Sequence, residues 1–413
     1  MHKQEIQAVV CALMVAACGL VLMGSASAAT EHLLHVFTGG ADGSQPDAGL
    51  TFGPSGTLYG STFSGGSAGQ GVIFKLTHTS AGWTETVLYN FQGGTKDGAN
   101  PSGTLAVDSA GNIYGTTISG GSGNGVVFKL TPSGTGWTET VLHVFGMGQT
   151  PINSGVIIDG SGALFGETAG GGTAGNGTVY EMKNTATGWK YRTLYNFTGG
   201  NDGSFPSGGL IFDRSGNLYG TTANGGGAEN IGSVFKLKRG TNNAWTESIL
   251  YGFQNTADGV NPEAPVVMDT AGNLYGTTVY GGDTSCAQGF GCGEVFQLSP
   301  STSGTWTKTL VHAFTDTPDG HAPMAGLKFN KAGNLFGTTS NGGTSGTGTL
   351  FELMPSGGGW TESIVHSFTN GSDGGFPHTP LLIDASGNLW GTTQIGGNYT
   401  QGVAYEFPGL AAQ

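Results

Sequence analysis

Short apolar runs alternate with polar, glycine-rich turns along most of this chain. Four such runs follow one another at Gly209–Asp213, Asn217–Thr222, Gly232–Leu237 and Trp245–Phe253. β-Branched and aromatic residues fill the runs, and Gly, Asn, Asp and Ser bound them, which is typical of short strands joined by turns. None of the runs has the 3.6-residue period of an amphipathic helix. The pattern therefore predicts four successive antiparallel strands.

The same group of runs recurs along the chain, marked by the phrase Gly-Asn-Leu-Tyr-Gly-Thr-Thr, which is clearest at Gly216–Thr222. The glycine before the threonine pair falls at positions 60, 115, 166, 220, 276, 337 and 391. A nearly constant period of this size indicates one supersecondary unit that is repeated. Four antiparallel strands per unit are typical of a propeller blade. We therefore expect an all-β fold, a seven-bladed β-propeller with four antiparallel strands per blade.

The ends of the repeat array predict how the ring closes. The last repeat stops at Phe407 without a fourth run, whereas Thr30–Phe37 precedes the first complete repeat and matches Thr138–Phe145 in register. This N-terminal segment is predicted to be the outer strand that completes the last blade, which leaves no unpaired edge. The alternative is an open superhelix of stacked sheets, which would need polar capping repeats at both ends.

The first 28 residues have the features of a secretory signal that precedes a propeller at 29–413. Lys3 is followed by the apolar stretch Ala8–Met23 and by the small residues Ala26, Ser27 and Ala28. This arrangement predicts cleavage after Ala28, export to the periplasm or the medium, and a mature chain without a transmembrane span. An alternative is a lipoprotein attached through Cys18, because residues 15–18 are similar to a lipobox.

The charge and the cysteine content limit the kinds of partner and the cellular compartment that the sequence allows. The net charge is −13 and the chain has only 14 Lys and Arg residues, so no basic patch favours a nucleic-acid partner. Cleavage of the signal would leave Cys286 and Cys292, which are close in sequence. In an exported protein such a pair favours a disulfide.

Six loops that join an outer strand to the next inner strand carry the motif Asp-Gly-x-x-Pro, and the seventh, ahead of Pro151, is shorter and lacks it. In a propeller these loops share one face with the glycine-rich loops between the second and third strands, and we name this face the loop face. Carboxylates suit Ca²⁺ or a polyol, whereas Asp-Gly followed by proline also forms a tight turn. Six equivalent copies favour the turn. The aspartates are Asp42, Asp97, Asp202, Asp258, Asp319 and Asp373.

Departures from the repeat indicate further candidate ligand-binding residues. Glu167 replaces the first threonine of the Thr-Thr pair, and His321 and His378 lie in two of the Asp-Gly-x-x-Pro loops. No His-Glu-x-x-His or P-loop motif occurs, and no catalytic residue is assigned.

The phrase Gly-Asn-Leu-Tyr-Gly-Thr-Thr, the glycine pair after it, and the Val-Phe-Lys-Leu and Trp-Thr-Glu-Thr strands resemble the Gloeo/Verruco (GloVer) tandem repeat over about residues 30–408. The resemblance implies an exported bacterial protein with propeller-like repeats and supplies no established activity or cofactor.

The absence of a catalytic motif favours a non-enzymatic exported propeller that binds a glycan or a surface protein through its Gly/Asp-rich loop face. One alternative is a calcium-dependent hydrolase or lyase that acts at the central channel. The other is a structural envelope protein without a saturable ligand.

Overall fold

The computed structural model describes residues 30–286 and 289–412, which form seven antiparallel sheets arranged as a seven-bladed β-propeller. The predicted fold class is therefore confirmed. The described residues contain no α-helix. Short 3₁₀ turns occur among them at Pro54–Gly56, Thr241–Asn243, Thr256–Asp258 and Leu410–Ala412. The predicted signal at 1–28, with Ala28 and Cys18, lies outside the described residues.

Each blade runs from a short inner strand beside the central channel to a long outer strand at the rim. The strands in chain order are β1 (His32–Val36); β2 (Thr51–Phe52), β3 (Leu58–Thr62), β4 (Val72–Thr79), β5 (Gly82–Asn90); β6 (Gly98–Val107), β7 (Ile113–Gly120), β8 (Val126–Ser133), β9 (Gly136–Val144); β10 (Ile157–Ile158), β11 (Leu164–Thr168), β12 (Thr178–Thr185), β13 (Gly188–Asn196); β14 (Ser204–Pro206), β15 (Ile211–Phe212), β16 (Leu218–Asn224), β17 (Ser233–Arg239), β18 (Trp245–Gly252); β19 (Val267–Met268), β20 (Leu274–Thr278), β21 (Glu294–Pro300), β22 (Trp306–Ala313); β23 (Lys328–Phe329), β24 (Leu335–Thr339), β25 (Thr349–Ser356), β26 (Gly359–Ser367); and β27 (Leu382–Ile383), β28 (Leu389–Thr393), β29 (Val403–Phe407).

The last blade is completed by the first strand of the chain. Its strand order is β27-β28-β29-β1, and β1 pairs antiparallel with β29, with His32 opposite Glu406 and Val36 opposite Val403. The ladder is extended by Phe37, whose N–H donates to Gly402 O at 3.1 Å. The predicted closure is therefore confirmed and the open superhelix is excluded.

Aromatic pairs hold neighbouring blades together. The phenylalanine that follows each outer strand packs edge-on against the aromatic residue of the third strand in the next blade, as in Phe91 with Phe128, whose ring centroids are 5.1 Å apart. Such pairs stabilise an interface beyond the area that they bury. The pairs are Phe37–Phe74, Phe91–Phe128, Phe145–Tyr180, Phe197–Phe235, Phe253–Phe296, Phe314–Phe351 and Phe368–Tyr405.

The glycine inside the repeated phrase makes room for this aromatic ring. A Cβ atom on Gly60 would lie 2.4 Å from Cζ of Phe74, and one on Gly220 would lie 2.6 Å from Cζ of Phe235. No side chain fits at such distances, so this glycine recurs in every copy for a packing reason.

Candidate binding face and central channel

The six loop aspartates form hydrogen bonds inside their own loops. In one loop, Oδ2 of Asp202 accepts from the Tyr195 hydroxyl at 2.9 Å and from Thr198 N at 2.9 Å, while Oδ1 accepts from the Thr198 hydroxyl at 2.7 Å. Burial raises the pKa of Asp202, but these hydrogen bonds outweigh burial and hold it below its usual value. Both oxygens are likewise engaged in Asp42, Asp97, Asp258, Asp319 and Asp373.

These loops lie beside the glycine-rich loops, as expected for one face of the ring. Ser44 pairs with Ser64, and His321 pairs with Asn341, in short antiparallel bridges between the two sets of loops. His321 also contacts Asp316, with Nδ1 2.6 Å from Oδ1, and is half-buried. Binding of a ligand by His321 or by the six aspartates stays a prediction.

Most aspartates of this ring face a glutamate on the outer strand of the next blade. Glu85 faces Asp42, Glu139 faces Asp97 and Glu247 faces Asp202, while Glu362 faces Asp319 and Glu31 faces Asp373. Burial, and in smaller part the nearby aspartate, raises the pKa of the first four glutamates to about 7 and that of Glu31 to about 8. At Glu362 the charge of His312 partly opposes this rise.

In two of these clusters a histidine lies close to both carboxylates. They are Glu31–His366–Asp373 and His312–Asp319–Glu362, and in each the three potential ligand atoms lie within 4.8 Å of one another. His and carboxylate ligands suit several divalent metals. None of these six residues lines the central channel.

Glu167 is buried between two blades. Its side chain is fully buried, and Oε2 accepts from Gly209 N of the next blade at 2.9 Å. Burial raises the pKa of Glu167 to about 8 despite this hydrogen bond. The corresponding threonine in the next blade, Thr221, donates to Ala264 O in the blade that follows. Glu167 therefore occupies a position that links adjacent blades.

The inner segments of all seven blades line a central channel with a cavity of about 530 Å³. Its wall consists mostly of glycine, proline and aliphatic side chains. Among the described residues, only four charged or titratable side chains line it, and they are Asp47, Glu263, Lys328 and His378. Concave, mostly apolar cavities with a few polar groups are the usual form of small-molecule sites.

His378 and Asp47 form a contact at the loop-face end of the channel, between the last blade and the first. Nε2 of His378 lies 2.6 Å from Oδ1 of Asp47, and both side chains are largely buried. Glu263 occupies the equivalent place in another blade, where burial raises its pKa. The structure thus brings His378, a predicted site residue, into the channel and leaves Glu167 and His321 outside it.

The sequence analysis missed Asp47, Glu263 and Lys328. The residue directly after the loop proline changes type from copy to copy, although the sequence around it is nearly constant. This variation is a signal that could have identified Asp47 and Glu263. This position is occupied by Asp47, Ser102, Ser207, Glu263, Met324 and His378 in the six repeats that keep the full loop.

Several loops of the loop face carry large exposed apolar side chains. Phe205, Tyr280, Phe290 and Tyr399 are exposed there, together with Met147 of the shortened loop, which is 95% exposed. The rings of Tyr280 and Phe290 lie 6.4 Å apart. The predicted disulfide is confirmed, since Cys286 and Cys292 are bonded, with their Cα atoms 5.7 Å apart, and they flank Phe290.

The fold and the channel together define a closed propeller of seven repeats, with the Asp-Gly and glycine-rich loops on one face. The chain belongs to the Gloeobacter/Verrucomicrobia repeat family, whose model matches residues 16–185, 122–308 and 284–412. The family resemblance is therefore confirmed.

Similarity to solved structures is distant. A Dyadobacter fermentans protein of unknown function is 11% identical with a TM-score of 0.45, over 91% of this chain and 97% of that one. A Bacteroides uniformis protein provisionally assigned as a 6-phosphogluconolactonase is 12% identical with a TM-score of 0.48, over 76% of this chain and 83% of that one. No curated protein matches the chain. Within the described residues, no helix has the length and apolar character needed to cross a membrane.

Proposed function

We propose that this protein is an exported, non-enzymatic propeller that binds a glycan or a surface protein through its loop face. The observation that carries the proposal is that three loops of this face expose aromatic side chains, which are Phe205, the neighbouring Tyr280 and Phe290, and Tyr399. Aromatic residues and methionine are enriched in binding interfaces and account for much of their binding energy. The loop aspartates already bind their own turns, so the aromatic rings would make the main contacts.

The disulfide supports this use of the loop face. It closes the loop that carries Phe290 and so limits the conformational freedom that binding would otherwise have to remove. Disulfides are also characteristic of oxidising, exported compartments.

The test is a glycan and surface-protein array probed with residues 29–413, with and without Ca²⁺. We expect a saturable partner whose affinity falls on the order of tenfold for Phe290→Ala or Tyr399→Ala. The matched control is Leu310→Ala, because Leu310 is equally exposed but lies on the outer strand β22. The absence of any partner, or equal losses in control and loop variants, would overturn the proposal.

Export is part of the same proposal, with cleavage after Ala28. N-terminal sequencing of the native protein is expected to begin at residue 29. A lipid-modified N-terminus at Cys18 would instead support the lipoprotein alternative.

A second candidate function is a calcium-dependent hydrolase or lyase at the central channel, favoured by the His378–Asp47 contact. The imidazole is held from both sides, with Nε2 against Asp47 and Nδ1 3.2 Å from Phe376 O, so a substrate would have to displace one of these partners before His378 could exchange a proton with it. This candidate predicts an activity on lactone, phosphotriester or polysaccharide substrates that chelation and His378→Ala abolish. The control is His321→Ala, which alters a histidine on the same face outside the channel. Activity that survives His378→Ala would rule out this site.

A further inference from the structure

We propose that the central channel binds a small molecule that has an apolar chain or ring and a single carboxylate, and that Lys328 pairs with the carboxylate. This site is independent of the loop-face contacts proposed above, because it uses the inner strands.

Lys328 is the only charged residue at its position in the seven repeats. In each repeat with the full loop, the residue equivalent to Lys328 lies five places after the loop proline. It is uncharged in the other repeats of this kind, for example Ile211, Val267 and Leu382. It is also the first residue of the inner strand β23, beside the channel. A lysine at a place that otherwise holds uncharged, mostly aliphatic residues is unfavourable for folding alone, so a role in binding would account for it.

The amine of Lys328 has no hydrogen bond or ion pair with any described residue. Three other charged or titratable side chains line the channel, namely Asp47, Glu263 and His378. They follow the loop prolines directly, whereas Lys328 lies four residues further along the chain from that position, at the start of β23. Asp47 is already bound to His378. An anion that reached Lys328 would therefore meet an unpartnered amine.

Burial lowers the pKa of Lys328, because the charged form is poorly solvated among apolar side chains. A bound carboxylate would supply the missing counter-charge and favour the protonated amine. One lysine provides one positive charge, which matches a monocarboxylate.

The apolar side chains in the rest of the channel wall determine the chemistry expected for the rest of the ligand. Leu50, Leu105, Val156, Leu210 and Leu381 all line the cavity, whose volume of about 530 Å³ is in the usual range for small-molecule sites. An apolar chain or ring would be removed from water against these side chains. A polar ligand such as a sugar would find few hydrogen-bonding groups there.

The experiment measures binding of octanoate and octan-1-ol to the whole protein by calorimetry, in the wild type and in Lys328→Met. Methionine keeps the length of the side chain without the charge. We expect octanoate to bind saturably and its dissociation constant to rise about tenfold in Lys328→Met, while the affinity for octan-1-ol changes little. The control is Lys331→Met, since Lys331 is exposed and its Nζ donates to Ala385 O.

Thermal unfolding of both variants establishes that they fold. Failure of octanoate to bind the wild type would overturn the proposal. Equal octanoate affinity in the wild type and in folded Lys328→Met would overturn it as well. Loss of octanoate binding in Lys331→Met to the same extent would also contradict it, because the effect would then be one of net charge.

Discussion

At the residue scale, tyrosine and histidine are interchangeable two positions before the outer phenylalanine. The Tyr251 hydroxyl and the His366 imidazole reach the loop aspartate of their own repeat in the same way, at 2.8 Å and 3.1 Å. The loop that lacks this aspartate shows a matched change, because His143 there stacks on Tyr191 with a centroid distance of 4.0 Å. Tyr191 replaces the glutamate found at most other interfaces. The blade interface that lacks the loop aspartate thus also lacks the glutamate that would face it.

At another blade interface the glutamate is replaced by a positively charged residue, Lys308. It lies 3.1 Å from Asp258 and 2.6 Å from Glu294, which is fully buried. A buried carboxylate needs such a partner, because an unpaired buried charge is strongly destabilising.

The first prediction concerns Glu167→Thr, which restores the residue found in five of the other six repeats. The folded-state pKa of Glu167 is about 8, above its ordinary value of 4.5. Its contribution to stability is therefore fully present below pH 4.5 and is lost as the pH rises through 8. We expect the variant to be more stable than the wild type at pH 9, by about 1–3 kcal/mol, with a smaller difference at pH 5.

Urea unfolding at the two pH values measures this difference. Glu229→Thr is the control, because Glu229 is exposed and its replacement should change little. A variant that is less stable than the wild type at pH 9 would show that Glu167 has a favourable role beyond the blade interface.

At the scale of single elements, the repeated phrase is a hairpin with its own turn. Asp213 Oδ1 accepts from the backbone N–H groups of Ser215 and Asn217, and Oδ2 accepts from the Asn217 side chain at 2.6 Å. The tyrosine of the phrase, Tyr219, donates to the same carboxylate. The most conspicuous sequence signal of the chain therefore specifies strand connection and packing, which explains why it carries little information about activity.

The second prediction concerns strand β1. Removal of residues 30–37 eliminates the ladder with β29 and the Phe37–Phe74 contact, and leaves β29 with an unpaired edge. We expect a lower melting temperature and self-association through this edge. Calorimetry and light scattering measure both effects against a chain that begins at residue 30. A deletion variant that is monomeric and melts like its control would contradict the closure.

The third prediction concerns the Cys286–Cys292 disulfide. A thiol assay on the unfolded, unreduced mature protein should find no free thiol. The double variant Cys286→Ser, Cys292→Ser is expected to unfold with a free energy lower by about 2 kcal/mol, since a short closed loop restricts the unfolded chain. Urea unfolding of the oxidised and variant proteins measures the loss. Two titratable thiols in the native preparation would disprove the bond.

At the scale of the whole molecule, repetition made the fold predictable, and variation within the repeat concealed the site. Blade number, strand order and closure all followed from seven copies of a pattern such as Leu218–Thr222. Asp47, Glu263 and Lys328 lie at positions where the copies vary, so the repeated pattern itself does not mark them and only a comparison of the copies position by position does. Their meeting in one channel depends on the rotation between blades, which a linear sequence does not display.

The fourth prediction is the pH dependence of the whole ring. Five interface glutamates have folded-state pKa values of about 7 or 8, above their ordinary value. The protonated glutamates therefore contribute to the stability of the fold at mildly acidic pH, and this contribution is lost as the pH rises through 7 to 8. Hydrogen bonds that outweigh burial lower the pKa of Asp42, Asp202 and Asp319, so their contribution is lost only when the pH falls below about 4. We therefore expect a higher melting temperature at pH 5.5 than at pH 8.5.

Replacement of these five glutamates by glutamine removes five of the groups with a raised pKa, and should weaken the dependence of the melting temperature on pH between the two values; Glu167 and Glu294, whose pKa values are also raised, remain. Calorimetric scans at constant ionic strength measure it, with Glu229→Gln as the control. A wild-type melting temperature that stays level or increases towards pH 8.5 would refute this account.

The pairing of β1 with β29 has a consequence for biosynthesis. The ribosome makes β1 before any complete blade and β29 after all the others, so the earliest strand has no partner while the rest of the protein is synthesised. Ring closure must therefore be the final event of biogenesis, and a chain that is arrested before its last repeat retains two unprotected strand edges that invite proteolysis.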